Sequence, residues 1–242
     1  MSDILDSLEK IIGLQIANQV KDTYHPYAVD WIQNYATKLN KVSDRPELKM
    51  VAYAIPGDTV NAFSMPGGFV YIYEGLINKF PKDQVCGVIG HEVAHIARKH
   101  CITMLAASYG VEFLSGLISK ERTKELFNLV TTIVMRGYGR QYEFEADKYS
   151  VIYNHKANLY PFGMKHFMEW LTSVEERPTD KISDLLATHP PASERLKKIN
   201  EEIERLGITE KIEVKPEIMK YLLPLGIGGA ILVGSLAYSK RR

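Results

Sequence analysis

The chain has 242 residues, enough for one sizeable domain or two small ones with a real core. Its 30 basic and 29 acidic residues leave a formal charge of +1, so no global field directs it toward nucleic acid or an acidic partner. Cys86 and Cys101 lie in or beside apolar helical sequence and are too few for a disulfide framework, so they read as buried small hydrophobes.

Met1 to Lys10 carries Asp3, Asp6 and Glu9 and no apolar core, which predicts neither a secretory signal nor a transit peptide. Leu5, Leu8, Ile12 and Ile16 then define one face of an amphipathic helix from about Ile4 to Lys21. A second helix is predicted from Pro26 to about Lys41. Leu48–Ile55 is rich in β-formers and reads as a strand. Asn61–Ser64 is extended, Pro66-Gly67-Gly68 turns, and Phe69–Tyr73 is a second strand. From Asp83 to about Leu105 the pattern is helical, and further helices are predicted at about Met104–Ile118, Thr123–Met135, Tyr142–Tyr153 and Phe162–Glu176. Leu126–Met135 is apolar but too short to span a bilayer, so it packs inside. Ser193–Leu206 closes the soluble part with a stripe of Leu196, Ile199, Ile203 and Leu206. These elements predict a mostly helical α+β domain over residues 1–220, with a small β-sheet toward its N-terminal side.

Tyr221 to Tyr238 has no charged residue and is followed by Ser239-Lys240-Arg241-Arg242. At helical rise the uncharged stretch covers roughly 27 Å, against about 30 Å of hydrocarbon, so 221–238 is a candidate transmembrane helix and 239–242 a basic tail. The glycines at Gly226, Gly228, Gly229 and Gly234 and the bracketing tyrosines suit a membrane helix. Two arguments bear on its orientation. The lack of an export signal keeps the preceding domain on the cytoplasmic side, whereas the terminal cations favour a cytoplasmic C-terminus. We take the first as the harder to override, because a whole domain would otherwise have to cross without a signal.

His91-Glu92-Val93-Ala94-His95 is HExxH within helical sequence. Residues four apart share a helical face, so the two imidazoles can converge on one metal ion. Glu92, one position on, can take a proton from the attacking water and pass it to the leaving amine. A catalytic zinc needs a third protein ligand and an open position. Glu143-Phe144-Glu145-Ala146-Asp147 offers Glu143 as that ligand. Asp147, one turn later, can accept the second N–H of a ligating histidine. Glu145 points elsewhere on the helix and reads as solvated.

HExxH followed about fifty residues on by ExxxD resembles the gluzincin pattern of thermolysin-like enzymes. The closer resemblance is to the HtpX-like and CAAX prenyl-protease family of membrane-associated zinc metalloendopeptidases, and within it to a quality-control branch. Asn61-Ala62-Phe63-Ser64-Met65-Pro66-Gly67-Gly68 is similar to that family's NAF-x-x-PGG segment. Glu143–Asp147 is similar to its ExxAD motif, and Thr188-His189-Pro190-Pro191 with Arg195 to its late HP-x-x-x-x-R element. The resemblance implies a zincin domain holding one Zn2+ per chain. It implies that Asn61, Ala62 and Phe63 form an edge strand that binds a polypeptide substrate in extended form, through backbone hydrogen bonds. It implies, too, that His189 and Arg195 stabilise the oxyanion. His189 read alone could also cap the following helix, or reach the metal in a resting state and leave before substrate enters. The multi-span cores of HtpX and the prenyl proteases are absent, which favours protein quality control over a prenylated substrate. The expected function is therefore a zinc metalloendopeptidase with a single C-terminal membrane anchor. The alternatives are a non-catalytic protease-like scaffold for partner or misfolded proteins, for which Glu92 would have no use, and a closed structural zinc site, for which neither cysteine is placed.

Overall fold

Leu8, Ile12, Ile16 and Val20 recur at the four-residue helical step, and helix α1 (Ser2–Tyr24) buries that face. In the computed structural model, which describes residues 2–175 and 190–210, α1 is followed by a short strand β1 (Tyr27–Ala28) and helix α2 (Asp30–Asn40). Strands β2 (Val51–Ile55), β3 (Ala62–Met65) and β4 (Phe69–Tyr73) then build the sheet with β1, in the order β1-β2-β4-β3. The β2–β4 pair is parallel and the other two pairs are antiparallel, so the sheet is mixed. The sequence pattern predicts a helix already from Pro26; β1 occupies its first residues because Tyr27 and Ala28 pair with Ala54 and Tyr53.

The rest is helical: α3 (Glu74–Lys79), α4 (Lys82–Ala97), α5 (His100–Tyr109), α6 (Val111–Gly116), α7 (Thr123–Arg136), α8 (Arg140–Lys156), α9 (Gly163–Val174) and α10 (Ala192–Arg205). The single helix expected from Asp83 to Leu105 is two, because Lys99 takes a left-handed conformation (φ 61°, ψ 28°) and ends the run. The stretch expected at Met104–Ile118 breaks at Gly110, with φ 80° and ψ 148°, a conformation that glycine adopts readily.

Both sheet faces are covered. Phe63, Met65 and Tyr71 join the core formed by α1, α5 and α7, with Ile12, Ile16, Ile102, Leu105, Leu126 and Val130. The alternate residues Val70 and Ile72 face the opposite way and are also fully buried. α4 packs against β3 and β4 and against α2, α8 and α9, which is why every residue from Val85 to Ala97 is buried. Residues 1–200 form one compact unit. Of the second unit, residues 201–242, the described part is the end of α10, where Arg205 pairs with Glu202, and a turn at Gly207.

Helix α4 is the centre of this packing because small residues let its neighbours approach. A Cβ on Gly87 would lie 2.2 Å from the Met164 backbone nitrogen on α9. One on Gly90 would lie 2.6 Å from Ser150 Oγ and 2.7 Å from Asn154 Nδ2 on α8. We expect Gly87→Ala to lose stability by about 1–3 kcal/mol or more, since the atom it meets is backbone and cannot rotate away. Thermal unfolding checks this, and an unchanged midpoint would mean that the two helices do not cross there.

No helix among the described residues is long and apolar enough to cross a membrane. The segment Tyr221–Tyr238, expected to be a membrane anchor, and His189, expected at the oxyanion, lie outside the described residues.

Candidate active site

His91 and His95 leave the same face of α4, and α8, pressed against α4 at Gly90, carries Glu143 to meet them. The three side chains are buried and their donor atoms lie within 4.8 Å of one another. Nε2 of His91 is 2.9 Å from Nε2 of His95 and 3.5 Å from Oε2 of Glu143, and His95 Nε2 is 3.7 Å from Oε1 of Glu143. Three donors in a tetrahedral shell with bonds of about 2.0–2.1 Å would stand about 3.4 Å apart, which these separations bracket. Two imidazoles and one carboxylate are also the donor set of an open, catalytic metal site rather than a closed structural one. The residues fit a divalent metal ion.

The other nitrogen of His91 points to α8. Its Nδ1 is 2.9 Å from Oδ1 of Asp147, itself fully buried. Arg195, from α10, grips that carboxylate in bidentate fashion, through Nη2 to Oδ1 at 2.7 Å and Nε to Oδ2 at 2.8 Å. Burial pushes Asp147 toward its neutral form, but the charge of Arg195 outweighs it and holds the carboxyl below its usual range. Burial likewise opposes a charged His91, while hydrogen bonds to Asp147 and Glu143 prevail and lift its pKa to about 9. Arg195 Nη2 also comes within 3.9 Å of Glu143, so one buried cation faces both Glu143 and Asp147.

Glu92 is 5% exposed and borders a cavity of about 420 Å³. Its lining includes Asn61 and residues of β3, His95 and Glu143, and Val134, Met135, Gly137 and Tyr138. β3 is the terminal strand of the sheet. Tyr73 N–H donates to Asn61 C=O, so residues 61, 63 and 65 turn their backbone groups toward β4 while Ala62 and Ser64 turn theirs outward. Two of these outward groups are engaged: the Ala62 N–H donates to Asn61 Oδ1 at 2.8 Å, and the Ser64 C=O accepts from the Tyr138 hydroxyl at 3.3 Å. Phe63 directs its ring into the core, against Tyr24 and Tyr71.

The structure thus brings His91, Glu92, His95, Glu143, Asp147, Arg195 and the Asn61–Phe63 segment to one place. Glu145 departs from its expected solvated state. Its Oε1 accepts from Arg98 Nε at 2.8 Å and its Oε2 lies 3.2 Å from His100 Nε2. His100, which sequence reasoning passed over, is fully buried, and burial pushes its pKa down to about 4. Tyr138, also passed over, packs its ring 4.4 Å from that of His95. Position alone could have flagged His100, five residues after the second histidine of HExxH; nothing local could have flagged Tyr138.

A helix bearing two histidines with a glutamate between them, a buried glutamate from the crossing helix α8 that faces both histidines, and an adjoining edge-strand cleft fit a metallopeptidase domain. The chain belongs to peptidase family M48, whose sequence model matches residues 26–203. It is 30% identical over 151 residues to the metalloprotease YcaL of Escherichia coli (strain K12), covering 60% of this chain and 58% of that one. It is 26% identical over 196 residues to the metalloprotease LoiP of the same organism, covering 78% and 77%. To the mitochondrial metalloendopeptidase OMA1 of Schizosaccharomyces pombe it is 25% identical over 200 residues, covering 81% of this chain and 58% of that one. The chain therefore spans little more than half the length of two of these three relatives.

Proposed function

We propose that this chain is a zinc-dependent endopeptidase that cleaves extended polypeptide segments. The observation that carries the reading is the convergence of His91, His95 and Glu143 beside the buried Glu92, at a cleft bounded by an edge strand. Zinc, when bound, would supply Lewis acidity, polarising the scissile carbonyl and easing deprotonation of water. The chain's own residues do the rest. A substrate strand lies along β3 and pairs with the outward C=O of Ala62 and N–H of Ser64, giving backbone binding with little side-chain preference. Glu92 accepts the proton of the attacking water and returns it to the leaving amine. Asp147 fixes the ring of His91 and Arg195 fixes Asp147. His189 and the positive charge of Arg195 stabilise the developing oxyanion, with Arg195 constrained by the two donors it commits to Asp147.

Digestion of casein, with and without a chelator, tests the reading. Cleavage should stop on chelation and return with added zinc. Cleavage that persists in chelator would remove the metal from the mechanism, and absence of any cleavage by zinc-loaded protein would favour the binding scaffold.

Within the same reading, Tyr221–Tyr238 is a single membrane anchor that keeps the peptidase domain at the membrane, on its cytoplasmic side, for protein quality control. It is supported by the uncharged run, its tyrosine borders and the three cations after it. The full chain should stay in the membrane pellet after carbonate extraction, whereas a chain ending at Lys220 should be soluble and active. A full chain released by carbonate would overturn the anchor, and protease accessibility in intact cells reads the side.

A further inference from the structure

A neutral imidazole that binds a metal through Nε2 carries its proton on Nδ1, and that proton needs an acceptor when buried. For His91 the acceptor is Asp147. For His95 it is another imidazole: its Nδ1 lies 2.8 Å from Nδ1 of His100. The second nitrogen of His100 lies 3.2 Å from Oε2 of Glu145, and the other oxygen of that carboxylate accepts from Arg98 Nε at 2.8 Å. Arg98 in turn donates through Nη1 to Asp44 at 2.8 Å.

One arrangement of protons satisfies this whole chain with His95 as ligand. His95 Nδ1–H donates to a bare Nδ1 on His100, His100 Nε2–H donates to Glu145, and Glu145 is held by Arg98. Each link has one donor and one acceptor, so the carboxylate at the far end sets the tautomer of both rings.

The backbone is bent to make this contact. His100 follows Lys99, whose left-handed conformation (φ 61°) is unfavourable for a non-glycine residue. Had α4 continued, His100 would have moved one turn and more along the axis, away from His95. The turn is pinned by Lys99 Nζ on Asp6 Oδ1 at 2.6 Å and by Arg45 Nη1 on the Ile96 carbonyl at 3.1 Å. The two rings are wedged between Tyr138, 4.4 Å from His95, and Tyr142, 4.6 Å from His100.

We infer that His100, backed by Glu145, is a positioning residue of the metal centre: it accepts the Nδ1–H of His95 and so holds that ligand in the tautomer and orientation that present Nε2 to the metal. The inference rests on the reading of His91, His95 and Glu143 as a metal site. It makes the two histidines of the motif unequal, one oriented directly by a carboxylate and the other by a carboxylate one imidazole away.

The test is metal binding, read by zinc affinity in chelator competition and by the visible spectrum of the cobalt-substituted protein. His100→Ala should weaken zinc by about 10- to 100-fold and change the cobalt bands. His100→Asn, whose side-chain oxygen can accept the same proton, should recover part of both. Glu145→Ala should weaken zinc less than His100→Ala does. Should His100→Ala fail to fold, His100→Leu fills the space without an acceptor and takes its place. Should that fail too, Glu145→Ala decides, since its side chain is 32% exposed and can be truncated without a buried void. Wild-type affinity and an unchanged cobalt spectrum in these variants would overturn the role of His100 while leaving the metal site standing. A wild-type chain that takes up no zinc would instead overturn the metal reading itself.

Discussion

Glu92→Gln should stop hydrolysis while leaving the metal in place. Glu92 sits between the two histidines on α4, so its side chain leaves the helix beside the ligand face and not within it. It is 5% exposed and borders the cavity that holds the ligand atoms, within reach of a water placed there and of little else from bulk solvent. Glutamine has the same shape and keeps the packing, but it cannot accept a proton at neutral pH. General-base assistance is worth about 100- to 10,000-fold, and here the same group also returns the proton to the amine, so the loss should reach the upper part of that range. Zinc content and unfolding temperature should match the wild type. Casein cleavage near the wild-type rate in a zinc-loaded Glu92→Gln protein would sink the mechanism.

Glu143→Ala should lose most of the metal. The carboxylate is fully buried, and both its oxygens face the histidine Nε2 atoms at 3.5 and 3.7 Å. Its removal takes away the proposed direct ligand and its negative charge, and one of the two carboxylates that face Arg195. The fall in zinc affinity should exceed the roughly 10- to 100-fold typical of a residue behind a ligand, so purified protein should carry far less than one zinc per chain. Glu145→Ala, two residues on, should retain bound zinc when the metal is in excess. Equal metal content in the two variants would remove Glu143 from the ligand set. Glu143→Gln, which keeps the volume, guards against a loss caused by a void alone.

Much of this was legible in the sequence because it is periodic or local. The four-residue spacing of His91 and His95, and of Glu143 and Asp147, places each pair on one helical face whatever the surroundings. Apolar periodicity marked α1, α7 and α9, and β-branched and aromatic runs marked β2 and β4. The break at Lys99 was not legible. Lys99 carries no signal for a left-handed turn, and the residues that hold it there, Asp6 and Arg45, are remote in the chain. Glu145 looked solvated for the same reason, since its partners Arg98 and His100 approach only after α4 and α5 have folded back on each other.

By itself, then, the sequence determined which residues can hold a metal and which can move a proton, because those follow from side-chain chemistry at helical spacing. Only the tertiary structure decided what surrounds them. The approach of α8 and α9 to Gly90 and Gly87 sets how closely Glu143 and Asp147 face His91. Sheet order, a non-local property, puts β3 at the edge beside the cleft. The bend at Lys99 brings Nδ1 of His100 to 2.8 Å from Nδ1 of His95. Each of these depends on a contact between segments far apart in the chain, and no local pattern encodes such a contact.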